Sequence, residues 1–109
     1  RRYSEALAPL EQLVKLDPDN LAALMNRAIT HFNLGELDAA QRDYETLQKR
    51  LPQSDSYKAL YGLAEVAAQR KQMPEAIRLY EVGLKSTPPG SPNARWAGER
   101  LRQLKAGGK

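Results

Sequence analysis

The sequence predicts an all-α fold built from a recurring helix pair, and three observations predict it. Apolar residues recur at spacings of three and four in six successive stretches, the signature of one-faced helices. Pro, Gly, Asp, Asn and Ser cluster between those stretches, as at Asp17-Pro18-Asp19-Asn20, Pro52-Gln53-Ser54 and Thr87-Pro88-Pro89-Gly90, where helices stop and restart. No segment alternates apolar with polar residues as a half-buried strand does.

The first helix covers Tyr3 to Leu16. Ala6, Leu7, Leu10, Leu13 and Val14 give it one apolar face. Pro9 falls inside that pattern and removes a backbone donor, so a kink or a frayed start is expected. Asn20 is placed to cap the second helix, Leu21 to Leu34. Gly35 then ends it where positive φ costs Gly little. The third helix, 38–50, opens at Asp38, carries Ala39, Ala40, Tyr44 and Leu47, and stops before Pro52. Gln53 to Ser56 form a short polar link with cap residues. The fourth runs from Tyr57 to Arg70 with Leu60, Leu63, Ala64 and Ala67 on its apolar side. Lys71-Gln72-Met73 is a turn, and Pro74 takes the first position of the fifth helix, where its missing N–H is harmless. That helix carries Ala76, Ile77, Tyr80 and Leu84 and ends before Thr87. Ser91-Pro92 starts the sixth, 92–105, and Gly107-Gly108 ends it.

Composition narrows the function. The chain has 109 residues, one small domain's worth, 41% hydrophobic and 28% charged, as a globular or repeat protein is. No apolar run approaches the ~20 residues of a membrane span, and Arg1-Arg2-Tyr3-Ser4 leads straight into an amphipathic pattern. With no initiator Met, the chain reads as a fragment. The compartment stays open: cytoplasmic is the first reading, periplasmic the second if an upstream signal precedes Arg1. Cys is absent, which removes disulfides and thiolate chemistry. Residues 1–90 are neutral, with 12 Lys/Arg against 12 Asp/Glu. The net charge of +4 comes from Arg95, Arg100, Arg102, Lys105 and Lys109 against Glu99. Nucleic-acid binding needs a basic stripe with several phosphate contacts, so no nucleic-acid partner is expected. The lone His31 lies along one side of its helix with Leu24 and Ala28. No phosphate loop or nucleophile motif is present, and Asp38 and Asp43 read as solvated charge. No enzyme activity, metal or cofactor is expected.

The repeat is explicit on self-comparison. Ala6, Leu10 and Pro18 are matched by Ala40, Tyr44 and Pro52, and again by Ala76, Tyr80 and Pro88. The two offsets are 34 and 36 residues, the extra two falling in the 53–56 link. With Leu24, Arg27-Ala28 and His31 in one unit, Leu60, Leu63-Ala64 and Ala67 in the next, and Ala94, Ala97-Gly98 and Leu101 continuing the register, the chain resembles the tetratricopeptide repeat family. Two small residues per pair, Ala28 with Ala40 and Ala64 with Ala76, let the helices approach closely. Gly98 holds the corresponding place in the last helix.

The resemblance implies a TPR-type α-α superhelix of about six helices. Residues 1–20 would be an unpaired second helix, 21–54 and 55–90 full repeats, and 91–109 a capping helix and tail. Arg95, Arg100, Arg102 and Gln103 would form its polar outer face. Leu7, Leu10 and Leu13 would lack part of their cover. The family implies a protein-interaction module, an adaptor or scaffold, binding a peptide or partner helix in a concave groove lined by first helices. Here that groove would hold Met25, Asn26, Ile29 and Phe32, then Lys58, Tyr61 and Glu65, then Arg95, Trp96 and Arg102, with Ala22, Asn33, Ala68, Gln69, Glu99 and Gln103 beside them. Met25, Ile29 and Phe32 either line the groove or pack on the preceding helix. Trp96 either stacks on a ligand or packs the cap. Some chaperone-binding members clamp a C-terminal carboxylate; Asn26 and Lys58 match that set, but the place of a required Arg is Gly62. The alternative function is self-assembly, with helix 92–105 of one chain covering helix 3–16 of the next as a homo-oligomer.

Overall fold

The computed structural model describes residues 2–107. Among them the chain forms α1 (Arg2–Leu16), α2 (Leu21–Asn33), α3 (Leu37–Arg50), α4 (Tyr57–Gln69), α5 (Met73–Ser86) and α6 (Pro92–Lys105), with one 3-10 turn at Gln53–Asp55. No described residue is in a strand. Each helix packs on its neighbours in sequence, and α2 also touches α4. The fold is therefore an all-α array of the tetratricopeptide type, 40 × 28 × 20 Å in extent.

The helix ends follow from local chemistry. The Asn20 side chain accepts from the Ala23 amide at 3.0 Å, and Ser91 Oγ accepts from Ala94 at 3.1 Å. Gly35 stands at φ +81°. Its amide reaches Phe32 O at 3.0 Å, and the next, of Glu36, reaches His31 O at 2.9 Å, which satisfies the last carbonyls of α2. The α4–α5 turn repeats this pairing, with Lys71 to Ala68 O at 3.0 Å and Gln72 to Ala67 O at 2.9 Å. The residue held at positive φ there is Lys71, at 64°.

Several expectations shift. α1 runs through Pro9 as one helix; the proline removes only the one amide that would donate toward Glu5. α3 starts one residue early, at Leu37, and α5 starts at Met73, which moves Pro74 one place inward. Ser56 does not cap α4 with its side chain; its hydroxyl donates backward to Gln53 O at 3.1 Å, because the polar link winds into the 3-10 turn. Gly107 ends α6 at φ +130°, while Gly108, like Arg1 and Lys109, lies outside the described residues.

The core is two linked clusters. One joins α2, α3 and α4 through Leu24, Ala28, Ala40, Tyr44, Leu47, Ala59 and Val66. The other joins α4, α5 and α6 and includes Leu60, Ala64, Ala76, Leu79, Tyr80, Ala97 and Leu104. Leu63 packs against both. Ala28, Ala40, Ala64 and Ala76 are wholly buried, so the small residues sit at the close approaches. Gly98 does not: a Cβ there would meet nothing, and the buried residue of α6 is Ala97. Asp43 is not solvated charge. It is buried and takes both arms of Arg27, Nε to Oδ2 at 2.9 Å and Nη2 to Oδ1 at 2.7 Å. Asp38 is exposed but paired with Arg70 at 2.5 Å. His31 is buried as a packing residue, its Nδ1 2.6 Å from Glu36 Oε1.

α1 contributes no fully buried side chain among the described residues. Val14 packs on the first cluster, whereas Leu13 and Leu16 are large apolar residues left exposed, Leu16 at 73%. Full burial of such a side chain is worth roughly 1.5–3 kcal/mol; Leu16 forgoes most of it, and Leu13, 41% exposed, less than half.

Candidate functional site

α2, α4 and α6 share one side of the array and enclose a shallow depression of about 200 Å³. Met25, Ile29 and Phe32 form its wall on α2, Lys58, Tyr61, Gly62 and Glu65 line it on α4, and Trp96 closes it on α6. Tyr44 of α3 forms the floor. The helical spacing explains the wall: residues four and then three apart stand on one stripe. That stripe is divided between the core and the depression. Met25 and Phe32 pack partly on the core, and Ile29, 42% exposed, faces outward.

Gly62 makes the floor possible. A Cβ there would stand inside the van der Waals radius of the Tyr44 ring, so the ring passes beneath α4 only because no side chain is present. This also excludes a cationic side chain at the third clamp position. Tyr44 is buried, and burial pushes its hydroxyl up to about 12.

The aromatic residues form a continuous group. The Tyr61 ring stacks on Tyr80 at 5.2 Å and meets Tyr57 edge-on at 5.6 Å. Trp96 leans against Tyr61 at 6.1 Å and Tyr80 at 5.9 Å, yet it is 52% exposed, because α6 has no following helix over that face among the described residues. Trp96 thus packs with one edge and presents the other to the depression. Tyr61 is anchored by its hydroxyl to Thr87 Oγ1, with its ring also against Gly83, where a Cβ would come within 2.7 Å. Burial, the larger influence, raises its pKa against the opposing Thr87 hydrogen bond.

Glu65 is internally engaged. Arg100 donates to it from Nε at 2.7 Å and from Nη2 at 3.1 Å, and the Tyr80 hydroxyl donates to Oε2. The Glu65 hydrogen bond holds the Arg100 guanidinium above its usual pKa. Burial, and then the Glu65 hydrogen bond and charge, raise that of Tyr80. Arg100 is therefore not part of a polar outer face; it turns inward and locks α6 to α4.

The remaining expected residues lie elsewhere. Asn26 and Arg95 are exposed outside the depression, and Ala68 is buried. Arg102 is exposed and pairs with Glu99 one turn away. Lys58 is half exposed, 4.0 Å from Asp55 and 6.0 Å above the Tyr57 ring. Tyr44 and Arg100 were not anticipated at this site. An isolated Gly inside a helical pattern costs about 1 kcal/mol against Ala, and Gly62 was the available signal for Tyr44.

No group of three or more His, Cys, Asp or Glu able to hold a metal occurs among the described residues. No helix there is long and apolar enough to cross a membrane. A family model described as tetratricopeptide repeat matches residues 1–40 and 27–91. Neither the curated proteins nor the solved structures provide a match. Repeats of this kind are generally protein-interaction modules on a helical scaffold that is typically non-catalytic. The matched span exceeds half the chain and agrees with the repeat register and the helix array: this chain belongs to the tetratricopeptide repeat family.

Proposed function

We propose that this chain is an adaptor module that takes a peptide or partner helix on the face formed by α2, α4 and α6. In this reading residues 21–54 and 55–90 are its full repeats and 91–109 its cap. One observation carries it: three helices that need not share a pocket converge on an apolar depression walled by Met25, Ile29, Phe32, Tyr61 and Trp96. Such a wall suits one large apolar anchor side chain, the usual source of affinity in groove recognition. A larger hollow of about 450 Å³ lies between α3 and α5, but Gln41, Glu45, Gln48, Glu75 and Arg78 rim it, so polar groups there would have to be desolvated.

The test is selection of phage-displayed dodecapeptides on the chain, followed by titration of the selected peptides against variants. Phe32→Asp and Trp96→Ala should weaken binding about 30-fold or more, the scale of a lost hot spot. Gln48→Ala on the opposite side should not change it. Equal binding to all three variants would end the groove reading.

The exposed Leu13 and Leu16 of α1 favour a second reading, head-to-tail association with α6 of another copy on α1. Light scattering at rising concentration should then show mass growing beyond a monomer. A constant monomer mass would remove this reading and leave the groove untouched.

A further inference from the structure

Four tyrosines are buried among the described residues, Tyr44, Tyr57, Tyr61 and Tyr80, and three of them have partnered hydroxyls. Tyr57 accepts from Asn93 Nδ2 at 3.3 Å, Tyr61 meets Thr87 Oγ1, and Tyr80 donates to Glu65 Oε2. The Tyr44 hydroxyl has no hydrogen-bond partner among the described residues, although a buried tyrosine ordinarily finds one. The repeat register explains the difference. Tyr44 and Tyr80 are 36 residues apart, and the same offset carries Glu65, the acceptor for Tyr80, back to Ile29. An isoleucine side chain offers no acceptor, so the hydroxyl that the second unit closes internally is left open in the first.

The open hydroxyl belongs to the depression. Tyr44 lines its floor, and Cζ, the ring carbon that carries the hydroxyl, lies where a Cβ at Gly62 would come within 2.4 Å of it. Arg70 Nε is the only enclosed side-chain polar atom without a partner among the described residues. The Tyr44 hydroxyl, also without one, therefore keeps access to solvent, although the residue is only 5% exposed. Burial, then the charges of Asp43 and Glu65, hold its proton in place, so it is available as a donor.

A ligand side chain that fills the depression shuts this hydroxyl off from water. An all-carbon tip would leave it buried and unpaired, which is costly. A tip that carries an acceptor would restore what Tyr80 has with Glu65. A carboxylate tip would meet the opposing charge of Glu65, which lines the same depression, so the acceptor is a neutral one. The rings of Phe32, Tyr61 and Trp96 in the walls suit an aromatic body. We infer that Tyr44 determines the specificity of the depression and selects a partner segment anchored by tyrosine over one anchored by phenylalanine, through a hydrogen bond between the two phenol hydroxyls. This rests on the groove reading and adds the chemical identity of the anchor to it.

The experiment uses fluorescein-labelled, Gln-flanked heptapeptides with Tyr, Phe or Ala at the centre. Binding to the whole chain and to its Tyr44→Phe variant is followed by anisotropy. Each exchange of Tyr for Phe removes one oxygen, on the ligand or on the floor, so the four affinities form a double-mutant cycle. The Tyr peptide should bind the wild-type chain about tenfold tighter than the Phe peptide. In Tyr44→Phe that preference should vanish or reverse, because the ligand hydroxyl would then be the one buried without a partner. Far-UV circular dichroism and the denaturant midpoint confirm that the variant, which keeps the ring, is folded. Equal binding of the Tyr and Phe peptides to the wild-type chain, or a Tyr preference that persists unchanged in Tyr44→Phe, would overturn the inference while leaving the groove reading in place. An Ala peptide that binds as well as both aromatic ones, or no binding of either aromatic peptide, would overturn both.

Discussion

The helix pairs α2–α3 and α4–α5 are two versions of one unit, and they solve the same packing problem differently. Thirty-six residues apart, Ala28, Ala40 and Tyr44 correspond to Ala64, Ala76 and Tyr80, all buried. Around that shared frame the chemistry diverges. Where the first unit buries the ion pair of Arg27 and Asp43, the second has Leu63 and Leu79. Where the first turns at Gly35, the second forces Lys71 to positive φ. Where the first has Asn26, the second has Gly62 over the Tyr44 ring. The repeat frame therefore dictates size and spacing at a few positions and leaves polarity free, provided each polar group finds its partner.

The largest expected effect tests the ion pair. The Asp43 hydrogen bond raises the Arg27 pKa, and a guanidinium is not deprotonated in proteins even without such a partner, so Arg27 would stay charged once Asp43 is gone. Asp43→Leu should then cost about 3 kcal/mol, the lower end for breaking a buried pair, since Arg27 is a quarter exposed. The double change Arg27→Leu/Asp43→Leu, which copies the second unit, should restore wild-type stability or exceed it. Urea unfolding of the two variants measures the difference. A double variant no better than the single one would mean that the two units are not interchangeable at this layer.

Alkaline pH should act on both units through Tyr44 and Tyr80. Their folded pKa values are raised above the ordinary value of 10.0, that of Tyr44 to about 12. Below pH 10 both states hold the proton and no stability is lost. Above it the unfolded state loses the proton first, so stability falls as pH rises from 10 through 12. The Tyr44 contribution amounts to about 2–3 kcal/mol at two pKa units. Denaturant midpoints measured from pH 9 to 12 should show the decline, and Tyr44→Phe should reduce it to the Tyr80 part.

Gly62→Ala should destabilise by about 1–3 kcal/mol, because the new methyl group displaces the Tyr44 ring. Asn26→Gly, the reciprocal exchange at an exposed helical position, should cost only about 0.3 kcal/mol. Comparable losses would remove the packing explanation for Gly62. A gain smaller than the Gly62→Ala loss is expected at the turn: Lys71→Gly should stabilise by about 0.5–1 kcal/mol by relieving the left-handed conformation, seen as a modest rise in Tm. A fall would mean that the Lys71 backbone is not strained.

Much of this is readable from residue order. The six helices, the Asn20 and Ser91 caps and the positive φ at Gly35 follow from local signals, because spacing and capping act within a few residues. The alanines at the close approaches follow from their recurrence. The candidate site was half legible. The spacing of Met25, Ile29 and Phe32 marks a stripe, and the repeat register brings Lys58, Tyr61, Glu65 and Trp96 to the same side. Asn26, Arg95 and Arg102 shared that register and still fell outside the depression, since a register fixes a helix face but not where a side chain ends.

What the sequence determined alone was therefore the set of local choices: where the backbone can coil, where it must turn, and which positions are too tight for a large side chain. Only the tertiary structure decided which charges meet. Arg27 finds Asp43 across 16 residues and Arg100 finds Glu65 across 35. Nothing in a helical period distinguishes such partners from solvated surface, and Asp43 was misread for that reason. Long side chains settle by the space and counter-charges around them, and those exist only once the helices have packed.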